Sequence, residues 1–257
     1  MSETDNNAHI LNWPHFYTNR YPGRGIVMGL GEGGRDFFQV YWIMGRSDNS
    51  KNRVFGYAEE EGRLFTEPAD PAKVKDPSLI IYNAMREYRK GYQSAFVVSN
   101  GHQTDGLIKA FTSGGFRAGA YTEMLDWIYE PDAPNNTPRI AGICYAGQEG
   151  KVAGELIVWR KSPWGKGCDR DIFYLGELPE GVGFCVTTYR GDGDPLPSFA
   201  GRPFPLEIQG DAHAIARKFW RESAGYFPNL VSLAVKRIDL KTQTSEIVIK
   251  NKLEKVA

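Results

Sequence analysis

Strand-length apolar runs, cut apart by glycine, proline and polar turns, constrain this chain more than any other feature. In the second half they fall at residues 140–145, 152–159, 172–175, 184–188, 230–238 and 246–250. A single helical stretch interrupts them, with Asp211 placed to cap a helix that runs to about residue 224. The first half has the same habit at 26–30, 37–44, 53–58 and 94–99. The pattern predicts that 53–58 pairs with the strand before it, and that Gly31-Glu32-Gly33-Gly34 is a hairpin turn rather than a phosphate cradle. Residues 59–75 are charged and hold Pro68 and Pro71, which predicts an excursion over the surface. Asp76-Pro77 suits a helix start, and 79–85 reads equally as helix or strand. Asp105 can cap a short helix to about Thr112, and 117–129 has helical spacing at Ala120, Met124, Leu125 and Ile128. About nine strands and three or four helices, clustered rather than alternating, predict an α+β fold. No linker or repeat divides the 257 residues, so a single domain is expected, with residues 1–12 as a loose tail.

The totals exclude several function classes. Thirty-one basic and 31 acidic residues leave no net charge, which speaks against a nucleic-acid or membrane-surface partner. No apolar run approaches the roughly 20 residues that span a bilayer. The polar, acidic start lacks the pattern of a signal peptide, so a cytoplasmic protein is expected. Cys144, Cys168 and Cys185 form no Cys-x-x-Cys pair, and Cys144 and Cys185 sit in apolar runs as small core residues. His9, His15, His102 and His213 lack metal-ligand spacing, so no metal is expected. Gly191-Asp192-Gly193-Asp194 lacks the glutamate of a calcium loop, and Ser2 is a weak nucleophile candidate.

Two islands stand apart. Val97-Val98-Ser99-Asn100-Gly101 is a buried run that breaks into polar residues before Thr104-Asp105, and Asn136-Thr137-Pro138-Arg139 feeds another apolar run at Ile140-Ala141. Backbone N–H groups at a helix start after Gly101 could hold an anion. Taken alone, the plainer reading of a tight turn and a helix cap is the stronger one.

In order along the chain come Tyr82-Asn83 with Arg86, the Val97–Asp105 island, Tyr129-Glu130, and the Asn136–Ala141 island. This order and spacing resembles the archaeal-type IMP cyclohydrolases, and Gly23-Arg24 before an apolar strand resembles that family's start. The likeness is dense over 76–145, patchy over 20–60 and thin beyond 190, where Thr187-Thr188-Tyr189 is the best remnant. The chain departs from the family at His102-Gln103, in an N-terminal extension, in an insertion after Ala58, and in Pro131 and Pro134 after Glu130.

The resemblance implies a four-layer α/β/β/α sandwich of the N-terminal-nucleophile hydrolase type, without use of an N-terminal nucleophile. It implies closure of 5-formamidoimidazole-4-carboxamide ribonucleotide to IMP with loss of water, without a cofactor. On that footing Glu130 is the candidate base, Tyr82 an acid or oxyanion donor, and Asn83 and Asn100 partners of the carboxamide and formyl groups. Arg24, Arg46 and Arg139 are candidates for the 5′-phosphate, Gly101 and Thr104 for further substrate binding, and Asp105 for the ribose. A structural ion pair at Arg139 and a core role for Tyr82 stay open. So do a related hydrolase acting on another nucleotide-like amide, a non-catalytic nucleotide-binding protein, a homo-oligomer, and a lid role for 190–205.

Overall fold

The computed structural model describes residues 18–256 except 75, 79, 114, 115 and 227, and only the backbone at 116–118 and 223–226. The expected tail, Ser2, His9 and His15 lie outside the described residues.

Among the described residues thirteen strands build two antiparallel sheets. The first sheet has six strands. β1 (Gly25–Leu30) and β2 (Asp36–Met44) form its centre, flanked by β10 (Val182–Thr187) and β11 (Phe204–Glu207) on one side and by β12 (Leu230–Asp239) and β13 (Ser245–Asn251) on the other. The second sheet runs in chain order from β3 (Val54–Ala58) and β4 (Arg63–Glu67) through β5 (Asn83–Lys90), β6 (Gln93–Ser99), β7 (Arg139–Ala146) and β8 (Val152–Lys161) to β9 (Cys168–Leu175). The helices are α1 (Asp48–Lys51), α2 (Gln103–Ser113), α3 (Phe116–Asp126) and α4 (Ala212–Tyr226).

Side chains alternate across each strand, so both faces of both sheets can be apolar. One face of each sheet meets the other in a shared core that includes Ile26, Met28, Phe37, Tyr41, Phe96, Val98, Ile140 and Leu156. Burying each of the larger of these contributes ~1.5–3 kcal/mol. The outer face of the first sheet packs Val27, Val40 and Trp42 against Ile215 and Phe219 of α4. The outer face of the second packs Val97, Ile143 and Trp159 against Leu107 and Phe111 of α2 and Met124 of α3. The layers are therefore helix, sheet, sheet, helix, as an α+β sandwich requires. Two polar ties cross the middle: Gln39 donates to the Phe96 carbonyl at 2.9 Å, and buried Lys236 pairs with Glu87 at 2.8 Å. Cys144 and Cys185 are fully buried free thiols, whose pKa burial pushes up. No helix among the described residues is long and apolar enough to cross a membrane.

Several expectations are borne out. Gly31–Gly34 is the β1–β2 hairpin turn, closed by Gly31 N–H to the Asp36 carbonyl at 2.8 Å. Asp211 caps α4 by accepting from Ala214 N–H at 2.7 Å. β7 and β8 form the expected hairpin.

Others need correction. β3 pairs with β4 and lies in the opposite sheet from β2. The 59–75 excursion contains β4, Arg63-Leu64-Phe65-Thr66-Glu67, where Leu64 and Thr66 are buried in alternation but the residue types themselves do not alternate. Ile80 and Ile81 N–H both donate to the Pro77 carbonyl, at 3.1 and 3.0 Å, before β5 begins. Asp105 lies inside the first turn of α2 rather than capping it, and α3 stops short of Tyr129. The pairing error matters most, because residues 45–53 then cross from one sheet to the other. That crossing forms one wall of the site.

Candidate functional site

The site begins with a glycine. Gly23 has φ +71°, and a Cβ there would stand 2.2 Å from Thr188 Oγ1. Only glycine lets this segment lie on the end of β10. Thr188 N–H donates to the Arg24 carbonyl at 2.8 Å, Arg24 N–H donates to Thr188 Oγ1 at 3.1 Å, and Tyr189 N–H donates to the Pro22 carbonyl at 3.1 Å. Arg24 is thereby fixed at the mouth of β1. Its Nη2 donates to Glu130 Oε2 at 2.9 Å, in a pair whose side chains are 12% and 4% exposed.

Glu130 is held by the turn that follows it. Its N–H donates to the Thr137 carbonyl at 2.8 Å, and Asp132 accepts from Thr137 N–H at 2.6 Å and from the Thr137 hydroxyl. That hydroxyl also bonds the Tyr189 hydroxyl, whose pKa burial pushes up to about 12. Burial raises the pKa of Glu130, against the opposing pull of Arg24 and Arg139. Burial is the largest influence on Arg24 and lowers its pKa, but Glu130 and the neighbouring tyrosine hydroxyls together outweigh it and hold the guanidinium well above its ordinary value. The two shifts pull the shared proton in opposite senses. Arg24 is protonated at any working pH, so the pair stands as an ion pair in which the carboxylate is more basic than usual.

Above this pair opens a cavity of about 410 Å³, walled by the 21–24 segment, the 130–137 turn, the β2–α1 crossing and Leu196. In its wall Arg46 lies over the Tyr21 ring at 4.9 Å and pairs with Asp192 at 3.0 Å. Arg53 also lines the cavity, 1% exposed, with Nε on the Ser50 carbonyl at 2.8 Å and Nη2 on the Met44 carbonyl at 3.0 Å. Loop 190–205 contributes to the rim, where Leu196 N–H donates to Asn135 Oδ1 at 3.1 Å. Among the described residues no group of His, Cys, Asp and Glu is arranged to hold a metal ion.

Of the residues singled out in the sequence, Arg24, Arg46 and Glu130 line this cavity. Tyr82 is buried between the sheets beside it, its hydroxyl 2.7 Å from that of Tyr41. Asn100, Gly101, Thr104 and Arg139 form a supporting shelf. Asn100 donates to the Pro138 carbonyl at 3.0 Å and accepts from Ile140 N–H at 2.8 Å and Gln103 Nε2 at 2.9 Å. Thr104 bonds Ser99, and Arg139 donates to Gln103 Oε1 at 3.1 Å while its guanidinium lies 5.1 Å from the Trp127 ring centre. A Cβ on Gly101 would stand 2.5 Å from Arg139 Nη1 and 2.7 Å from Gln103 Oε1, so those side-chain ends would have to shift to admit one. The His102-Gln103 departure thus puts a buried hub at Gln103, whereas His102 is exposed and reaches the Ser78 carbonyl. Asn83 and Asp105 meet on the helix-facing side of the second sheet, with Asn83 Nδ2 2.9 Å from Asp105 Oδ2 and Arg86 2.8 Å from Oδ1. They are not brought into the cavity.

Sequence reasoning passed over Tyr21, Arg53, Asp132, Thr137 and Tyr189 as parts of the site. Thr137 and Tyr189 lay within motifs already noticed; a lone arginine ahead of a strand carries no such signal. A model of the family described as IMP cyclohydrolase-like protein matches residues 21–243. No curated protein matches the chain.

Proposed function

Because the chain belongs to the IMP cyclohydrolase-like family, we propose that it closes 5-formamidoimidazole-4-carboxamide ribonucleotide to IMP with release of water. The activity is formally that of a hydrolase acting on a carbon–nitrogen bond, since the reverse reaction adds water to the purine ring. The observation that carries this reading is the buried Arg24–Glu130 pair at the floor of a cavity of about 410 Å³. That volume falls within the roughly 300–1,000 Å³ common for small-molecule sites.

The carboxamide nitrogen attacks the formyl carbon, forming one C–N bond and losing one proton. The formyl oxygen takes up two protons in all, one from the carboxamide and one from the formamido nitrogen, and leaves as water. Glu130 suits the base, because burial raises its proton affinity while Arg24 keeps it ionised. Arg24 Nη2 points into the same region and suits the developing oxyanion, where a fixed cation in a largely dry site is most effective. For Tyr82 the support is its buried hydroxyl pair with Tyr41, since such a pair uses only one of its two protons. Asn100 acts by holding the Pro138–Ile140 backbone behind the site.

We read the two-sheet core with outer helices as a sandwich of the N-terminal-nucleophile hydrolase type, used without such a nucleophile. The three free thiols fit a reducing compartment, and on that ground we place the enzyme in the cytoplasm. The test is to mix purified protein with the formamido ribonucleotide and follow IMP by ultraviolet absorbance. Appearance of IMP above the background rate is expected; intact substrate with no IMP would refute the proposal.

A further inference from the structure

Soluble chains rarely leave large apolar side chains exposed as a group unless something covers them. Six of the nine that stand exposed among the described residues gather in one stripe along α3, β9 and the turn before β9. They are Tyr121, Leu125, Ile128, Trp164, Ile172 and Tyr174, between 43% and 92% exposed. Ile172 and Tyr174 alternate in β9 with Phe173 and Leu175, which turn inward to the shared core. Arg170, on the same face as Ile172, donates to the Leu125 and Trp127 carbonyls at 2.7 and 3.1 Å, so α3 lies along this strand. Tyr121 donates to Glu155 Oε1 at 2.9 Å, and Glu155 stands opposite Tyr174 in the ladder. The Tyr129 hydroxyl reaches the Lys166 carbonyl at 3.4 Å, which ties the turn holding Trp164 to the chain just past Ile128.

The strand in this stripe also has an open edge. β9 is the last strand of its sheet, so about half of its backbone N–H and C=O groups face away from β8. The other three sheet edges are blunted. Asn251 accepts from Phe55 N–H at 2.9 Å and donates to the Phe55 carbonyl at 3.1 Å, capping β3. β11 has four residues and includes Pro205, and β13 carries Glu246 and Lys250. β9 has none of these devices. It runs eight residues without proline or lysine, and its register with β8 is unbroken from Leu175 to Cys168. Its charges are engaged within the chain: Arg160 pairs with Asp169 at 4.0 Å and with Asp171, and Arg170 is spent on carbonyls.

We infer that β9 pairs antiparallel with β9 of a second copy of this chain across a twofold axis, joining the two seven-stranded sheets edge to edge. α3 and the β8–β9 turn then meet their counterparts on one side of the joint sheet. A register centred on Phe173 sets Ile172 of one copy opposite Tyr174 of the other, a β-branched–aromatic pair, and opposes no like charges within β9. The contact is the same patch on both copies, so it closes at two chains. Weighted by exposure, the six side chains offer roughly 500–900 Å² to a partner, at the ~150–250 Å² that a large side chain carries. The upper part of that range meets the about 800 Å² per partner of a standard stable interface, before the β9 backbone is added. None of the six lines the cavity, so the interface is independent of the reaction proposed above.

The test reads mass. In analytical ultracentrifugation the wild type should sediment at twice 28.8 kDa. Ile172→Lys, which puts the edge-blocking residue into β9, and Leu125→Glu should each weaken self-association ~10-fold or more. Both replaced side chains are exposed, so the circular dichroism of each variant should match the wild type, and either one alone decides if the other fails to fold. Hydrogen exchange separates edge pairing from a contact through α3 alone: amides of residues 171–175 should exchange more slowly in the wild type than in Leu125→Glu. A wild type that stays monomeric at ~100 μM would overturn the inference and leave the stripe to a different partner. A dimer that both variants leave intact, or β9 amides that exchange alike in wild type and variant, would overturn it as well.

Discussion

Glu130 and Arg24, 106 residues apart, meet at 2.9 Å with both side chains nearly sealed from water. Breaking one side of such a buried pair typically costs ~3–5 kcal/mol, because the remaining charge is left uncompensated. A structure that needed only stability would do as well with two apolar residues there. Both residues line the cavity, and the proposed function gives the pair a chemical use there.

That use has a pH signature. A base works only when ionised, and burial raises the proton affinity of Glu130 above that of an ordinary glutamate. Raising the pKa of the base moves the acid limb of the rate profile upward, so activity is lost at a higher pH than for a free side chain. The half-maximal point on the acid side of kcat should lie above the ordinary value of about 4.3. A limb at or below that value would contradict the assignment.

The hydroxyls of Tyr41 and Tyr82 satisfy one another in the core at 2.7 Å. Tyr82→Phe leaves Tyr41 unpaired and should lower stability by ~1–3 kcal/mol. The double replacement should cost less than the sum of the two single ones, as chemical unfolding of all three variants would show. Tyr82→Phe should also slow turnover while IMP affinity holds; unchanged turnover would remove Tyr82 from the chemistry.

Gly23→Ala tests how the site is built. The backbone is left-handed at φ +71° and the new Cβ meets Thr188 Oγ1 at 2.2 Å. A loss of ~1–3 kcal/mol in stability is expected, read by thermal unfolding, together with slower turnover as Arg24 shifts from Glu130. Wild-type stability and rate would show that the clamp on Thr188 does not position Arg24.

Much of the fold was legible because strand-length runs declare themselves, and the breaks after Ser99 and before Arg139 do fall at strand ends. What local pattern could not carry was partnership. Residues 53–58 read correctly as a strand, yet nothing local says that it joins the second sheet. Likewise Tyr82 and Asn83 are adjacent and looked like one functional unit. Successive residues in extended chain point to opposite sides, so Tyr82 enters the core while Asn83 faces Asp105 under the helix layer. The site residues that were missed have long-range causes. Arg53 matters only because the 45–53 crossing buries it, and Tyr189 only because Thr137 arrives from 52 residues away.

The most direct test is Glu130→Gln, assayed for both turnover and IMP affinity in one preparation. The account predicts that kcat for IMP formation falls ~100-fold or more, the usual scale for losing a positioned base, with the IMP dissociation constant within a few-fold of wild type. A variant that turns over at the wild-type rate would contradict it.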